Sequence, residues 1–184
     1  MDQRSNSRLS LFLMELIVAL MFFSLSAAVC VRLFASAHLM SESTENLSGA
    51  TIWTQNLAEA FEGKKGRLLD MAELYPGATI SYDTADSTQS DGSLVLFFDD
   101  RWERINVLAD ASYVASIAIT TEDASEVYAD VNDYGTTITG KAAVGKITVL
   151  DIRGLENFSP EMTVDQDHII MSVSVDTYLG KEGR

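Results

Sequence analysis

From residue 11 to residue 31 the chain is apolar at nearly every position, and the one charge inside that run is Glu15. The run holds no Gly or Pro and is rich in Leu, Met, Phe and Ala, so it predicts a continuous helix rather than a buried strand. At ~1.5 Å per residue it extends about 31 Å, the thickness of a bilayer's hydrocarbon core. Past Val31 the pattern narrows to a stripe: Leu33, Ala37, Met40, Leu47, Ala50, Trp53, Leu57 and Phe61 recur at three- and four-residue steps, mostly. That spacing predicts an amphipathic stem helix over 32–62, continuous with the apolar run. Unbroken from 11 to 62, it would be about 78 Å long. Gly63, followed by Lys64, Lys65 and Arg67, reads as its end, a flexible residue with cations at the negative pole of the helix dipole.

The period then changes. A short helix is predicted over 67–74, stopped by Pro76-Gly77, and 84–92 reads as a polar loop. Alternation of period two marks 94–98 and 102–108 as a hairpin around Asp99-Asp100, with further strands at 113–120, 146–152 and 168–177. The last is the clearest, with Ile169, Met171, Val173 and Val175 alternating against Ile170, Ser172, Ser174 and Asp176. A further edge hairpin is expected within 125–140. One long helix followed by strands without intervening helices predicts an α+β fold, an N-terminal helix packed against an antiparallel sheet. The resulting division is a leader at 1–10, a membrane helix at 11–31, a stem at 32–62 and a head at 63–184.

Composition sharpens this in two places. Of 184 residues 47% are hydrophobic, an ordinary share that hides a membrane-like beginning and a polar remainder. Beyond Val31 lie 25 of the 27 acids and 11 of the 13 bases, so the remainder alone carries −14. Nucleic acid is therefore a poor direct partner, and the charge speaks to solubility and association. Cys30, inside the apolar run, is the only cysteine, so no intramolecular disulfide can form and the head must hold by packing.

Arg4 and Arg8 precede the apolar run, while Arg32 is soon followed by Glu42 and Glu45, which places the N-terminus in the cytoplasm and the head outside. Three readings compete for the run. Ala35-Ser36-Ala37 supplies an A-x-A signal for secretion with cleavage before His38, but a signal core is usually only ~7–15 residues. A plain membrane anchor leaves Glu15 as an unexplained cost. The third reading explains it.

The stretch 8–19 resembles the N-terminus of type IV prepilins and type II secretion pseudopilins, which carry a short basic leader, a cleavage point and a hydrophobic helix whose fifth mature residue is Glu. Here the leader is 1–10 and cleavage falls between Ser10 and Leu11, which makes Glu15 the fifth residue. The residue before the cut is usually Gly in that family; Ser10 is also small. The resemblance implies a prepilin peptidase that cuts and methylates the Leu11 amine, an inner assembly platform, and neighbouring subunits joined through the N-terminal helix. It also implies that Glu15 meets the Leu11 amine of a neighbour and sets filament register. Pairing a buried carboxylate with a buried amine offsets much of the cost of each alone.

Catalytic signatures are absent: there is no nucleophile elbow, no phosphate loop and no clustered His/Cys set, so an enzyme is not expected. Lys64, Lys65, Gly66 and Arg67 lack phosphate-loop spacing and read as a helix cap. His38 and His168 are read as solvated, and Asp99-Asp100 as turn residues. No cofactor is expected. Residues 130–135 open like a calcium loop, but Tyr134 and Lys141 stand where ligands are needed. An irregular calcium site from Asp130, Asn132, Asp133, Asp165 or Asp167 stays open as the lesser alternative to solvated loop acids. The function expected is a structural subunit, a minor pilin or pseudopilin, of a pilus-like or secretion-like filament. The alternative is a single-pass anchored extracellular binding domain that does not polymerise.

Overall fold

The computed structural model describes residues 3–82, 90–132, 138–155, 158–160 and 164–181, with side chains outside 3–9 and 131–132. The chain divides into two compact units, Met1–Glu45 and Asn46–Arg184. Helix α1 spans Gln3–Gly63 and passes through the division, so the expected continuity of apolar run and stem is present.

In the second unit the sheet runs β1(Thr79–Tyr82), β2(Gly92–Phe98), β4(Tyr113–Asp123), β5(Lys141–Asp151), β6(Ile169–Gly180), every neighbour antiparallel. A two-residue strand, β3(Arg104–Ile105), pairs with the end of β2 beyond β1. The expected α+β arrangement, a long N-terminal helix packed on an antiparallel sheet, is therefore what the chain adopts. β1 with β2, β2 with β3, β4 with β5 and β5 with β6 pair as sequence neighbours, and β4 returns beside β2 past the short β3, so no crossover helix is needed.

Side-chain alternation decides which face the helix covers. Leu94, Leu96 and Phe98 of β2, Tyr113, Ala115, Ile117 and Ile119 of β4, and Ile147 and Val149 of β5 bury toward α1. They meet Ala50, Leu57 and Phe61 from the stripe, joined by Leu68 and Met71 of α2(Leu68–Ala72). Phe61 is 1% exposed, and burying a side chain of that size contributes ~1.5–3 kcal/mol. The alternate residues Val95, Phe97, Val114 and Leu150 form a second, smaller core with Ile152 on the other face, covered by 105–111 and 152–164 where described.

Three expectations need correction. The 125–140 segment is no hairpin: α3(Ala124–Val127) and α4(Ala129–Asn132) occupy its first half, and 133–137 lie outside the described residues. Ala124 is fully buried, and this tertiary anchor turns the chain into α3 directly at the end of β4. Helix α1 ends at Gly63 as expected, and a turn closes it just beyond: Gly66 N–H donates to Phe61 O at 2.7 Å and Lys65 N–H to Glu62 O at 3.1 Å. This is a Schellman turn with Lys65 at φ 51° and Gly66 at φ 61°, the latter tucked so tightly that a Cβ would sit 2.7 Å from Phe61. The strand expected at 102–108 shrinks to β3, because Trp102 takes φ 63° in the turn and leaves the ladder. β1 was not expected; its four residues pair with β2 only because Pro76-Gly77 returns the chain beside that strand. The loop read at 84–92 lies mostly outside the described residues, since only 90–92 are described and Gly92 already starts β2.

Candidate functional site: an uncovered apolar helix and the buried foot of the head

Between residue 10 and residue 45 every side chain of α1 is exposed. Leu11 is 70% exposed, Met14 68% and Phe34 78%, values no soluble helix of this composition sustains without a cover. The segment Ser10–Gly63 is long and apolar enough to cross a membrane. Ser24 satisfies its hydroxyl within the helix by donating to Leu20 O at 2.8 Å, as a hydroxyl in an apolar medium must.

Glu15 has no such internal remedy. Among the described residues it has neither a hydrogen-bond nor an ion-pair partner, and its helix neighbours at three- and four-residue spacing are Leu11, Phe12, Val18 and Ala19. Ser10 and Leu11, the expected processing pair, lie on the same exposed helix one turn before it. The leader's Arg4 and Arg8 have side chains outside the described set. Leu33 (64% exposed), Met40 (71%) and Leu47 (50%) are also uncovered, so the stripe is buried by this chain's own sheet only from Ala50 onward.

The head closes on the stem through an aromatic foot. Tyr113 O–H donates to Asn46 Oδ1 at 2.7 Å, and the Tyr113 ring stacks on Trp102 with centroids 4.3 Å apart and planes 8° from parallel. Trp102 in turn lies on the helix at Gly49, where a Cβ would fall 2.3 Å from its ring. Phe98 and Trp53 extend the cluster. The hairpin presenting Trp102 is held by Asp99, whose carboxylate accepts from the backbone N–H of Arg101 and Glu103, both at 2.9 Å. The expectation that Asp99-Asp100 serves a turn is thus met at Asp99. Trp53 and Phe61 pack on the chain's own head, as read from the stripe.

On the far side of Tyr113 the Arg153 guanidinium lies 5.1 Å from its ring centroid and grips Asp151 with Nε at 3.0 Å and Nη2 at 2.6 Å. Partial burial works to raise the Asp151 pKa, but the Arg153 hydrogen bonds and charge, helped by His168, outweigh it and hold the carboxyl below its ordinary value. His168 is half-buried, with Nδ1 2.9 Å from Asp151 O, which corrects its reading as a solvated residue. His38 is exposed. Lys65 and Arg67 act locally: Lys65 closes the helix, and Arg67 pairs with Asp70 at 2.7 Å.

Among the described residues no group of three or more His, Cys, Asp or Glu is placed to hold a metal ion. Asp130, Asp165 and Asp167 are exposed, while the side chains of Asn132 and Asp133 lie outside the described residues. A recess of about 530 Å³ opens between Leu108, Ala111, Ile152, Leu155 and Phe158, lined by apolar side chains with none to orient a polar ligand. No family model, curated protein or solved structure matches this chain.

Proposed function

We propose that this chain is a structural subunit, a minor pilin or pseudopilin, of a type IV pilus-like or type II secretion-like filament. In this reading a prepilin peptidase cuts between Ser10 and Leu11 and methylates the new amine. The N-terminal helix then sits in the membrane with the head outside, and moves into a filament by exchanging lipid for the helices of neighbours. The observation that carries the reading is Glu15: a carboxylate without a partner of its own, five residues into the apolar run that follows Ser10, on a helix left bare from 10 to 45. A neighbour's Leu11 amine supplies the opposite charge at the same depth, which turns a costly group into a register mark.

The test is the mature N-terminus by mass spectrometry after co-expression with a prepilin peptidase. A methylated Leu11 supports the filament reading. An intact Met1 supports the non-polymerising anchored domain, and a start at His38 supports secretion. In the Glu15→Ala variant, cleavage at Leu11 is expected to persist while assembly is lost; assembly at the wild-type level removes the register role.

A further inference from the structure

The sheet has one edge that is not blunted. β6 is twelve residues long and terminal in the strand order, and among the described residues nothing pairs with its outer side. The other margin is broken into β1, four residues, and β3, two residues. Soluble proteins protect long edges with Lys, Pro or a covering segment, because a free row of N–H and C=O groups templates another strand. β6 carries no Lys and no Pro, and its single charge, Asp176, faces the surface opposite α1. Register shifts fall only near its two ends, leaving 171–178 in unbroken register with β5.

We propose that β6 is a docking edge that takes an extended, cationic segment of another protein as an added strand. Backbone hydrogen bonds would supply the pairing. The side toward α1 offers Met171, Val173 and Val175, of which Val173 is still 39% exposed, so alternate aliphatic residues of the incoming strand find cover there. The other side offers the exposed Ser172 and Ser174 to hydroxyl and basic side chains, with Asp176 beside them already accepting from the Tyr128 hydroxyl.

A second copy of this chain is the obvious competitor, and charge argues against it: the chain carries −14, with Asp165 and Asp167 exposed just before β6, against Lys181 just after it and Lys146 one strand further in. Like-charged heads repel and a basic segment is steered in. The inference does not depend on whether the chain polymerises.

The experiment uses the full chain in neutral detergent micelles and a nine-residue peptide alternating Val with Lys or Thr. Controls are the same peptide N-methylated along one edge and a version with Glu for Lys. The expected result is binding below ~1 mM that weakens with salt, with about tenfold slower hydrogen exchange confined to β6 amides. Ser172→Lys, opposite Thr148 and exposed, should weaken binding about tenfold while β4 exchange stays unchanged. The proposal is overturned by absence of binding, by equal binding of either control peptide, or by β6 protection that rises with chain concentration when no peptide is present.

Discussion

Gly49→Ala is the sharpest probe of how the head holds its stem. In an exposed helix interior the change would stabilise by ~0.8–1.0 kcal/mol, since Ala loses less backbone freedom than Gly. Here the added methyl would lie 2.3 Å from Trp102 Cδ2 and 2.4 Å from Cε2, against an ordinary carbon contact of ~3.5 Å, so the ring must retreat by about 1.2 Å. It has nowhere free to go, because Tyr113 stacks on it at 4.3 Å and Phe98 stands 5.9 Å away. Overpacking of this kind costs ~1–3 kcal/mol, and loss of the stacked geometry adds ~0.5–1.5 kcal/mol. The clash wins over the propensity gain, and a net loss of about 2 kcal/mol is expected. Hydrogen exchange of β4 and β5 amides in the full chain reads head stability without interference from the detergent-held helix. In a Trp102→Ala background the same Gly49→Ala change should stabilise by ~0.8 kcal/mol, giving a coupling near ~3 kcal/mol. Additivity of the two changes, or stabilisation by Gly49→Ala alone, would refute the clamp.

Three further outcomes follow from the head. Tyr128 has its pKa pushed up to about 12, first by burial and then by its hydrogen bond to Asp176 and that residue's charge; ultraviolet titration should show a phenol ionising near there and moving down in Asp176→Asn. A raised phenol pKa means the stabilisation is complete below the unfolded value of ~10 and is lost as pH climbs through the folded one. For Asp151 the sign is opposite: with its pKa lowered, its contribution is full above the unfolded value of ~3.9 and disappears as pH falls through the folded one, so Asp151→Asn should flatten the acid limb of a stability profile measured below pH ~4. Tyr113→Phe deletes the donor to Asn46 Oδ1 and should cost about 1 kcal/mol by the same exchange measurement, and a change within ~0.3 kcal/mol would mean that water replaces the bond at no loss.

Local patterns carried a large share of the architecture. The apolar run, the continuing stripe and four of the five period-two segments needed only spacing to be recognised, because helix and strand geometry impose 3.6 and 2 on any chain that must bury one face. Glu15 stands out in the same local way, as one carboxylate in an apolar run, whereas Ser10 and Leu11 were singled out only by the resemblance to prepilins. The elements missed are those whose conformation depends on distant contacts. β1 is a strand because β2 lies beside it, and α3 turns inward because Ala124 finds a buried slot. Gly63 was legible as the helix terminus, but the left-handed turn that closes it falls at Lys65-Gly66, where Phe61 and Ala143 leave room for nothing larger than Gly66's hydrogen.

The sequence by itself therefore determined that this protein is a long apolar-to-amphipathic helix followed by an antiparallel head, with a single carboxylate inside the apolar run, since periodicity and hydropathy are local quantities. Only the tertiary structure decided where the helix becomes part of the head, at Asn46 and Gly49, because that boundary is drawn by Trp102 and Tyr113, more than fifty residues away in the chain. It also decided which long strand lies at the edge of the sheet among the described residues. Edge or centre is a property of the whole sheet's order, and nothing in the alternation of 169–180 distinguishes the two.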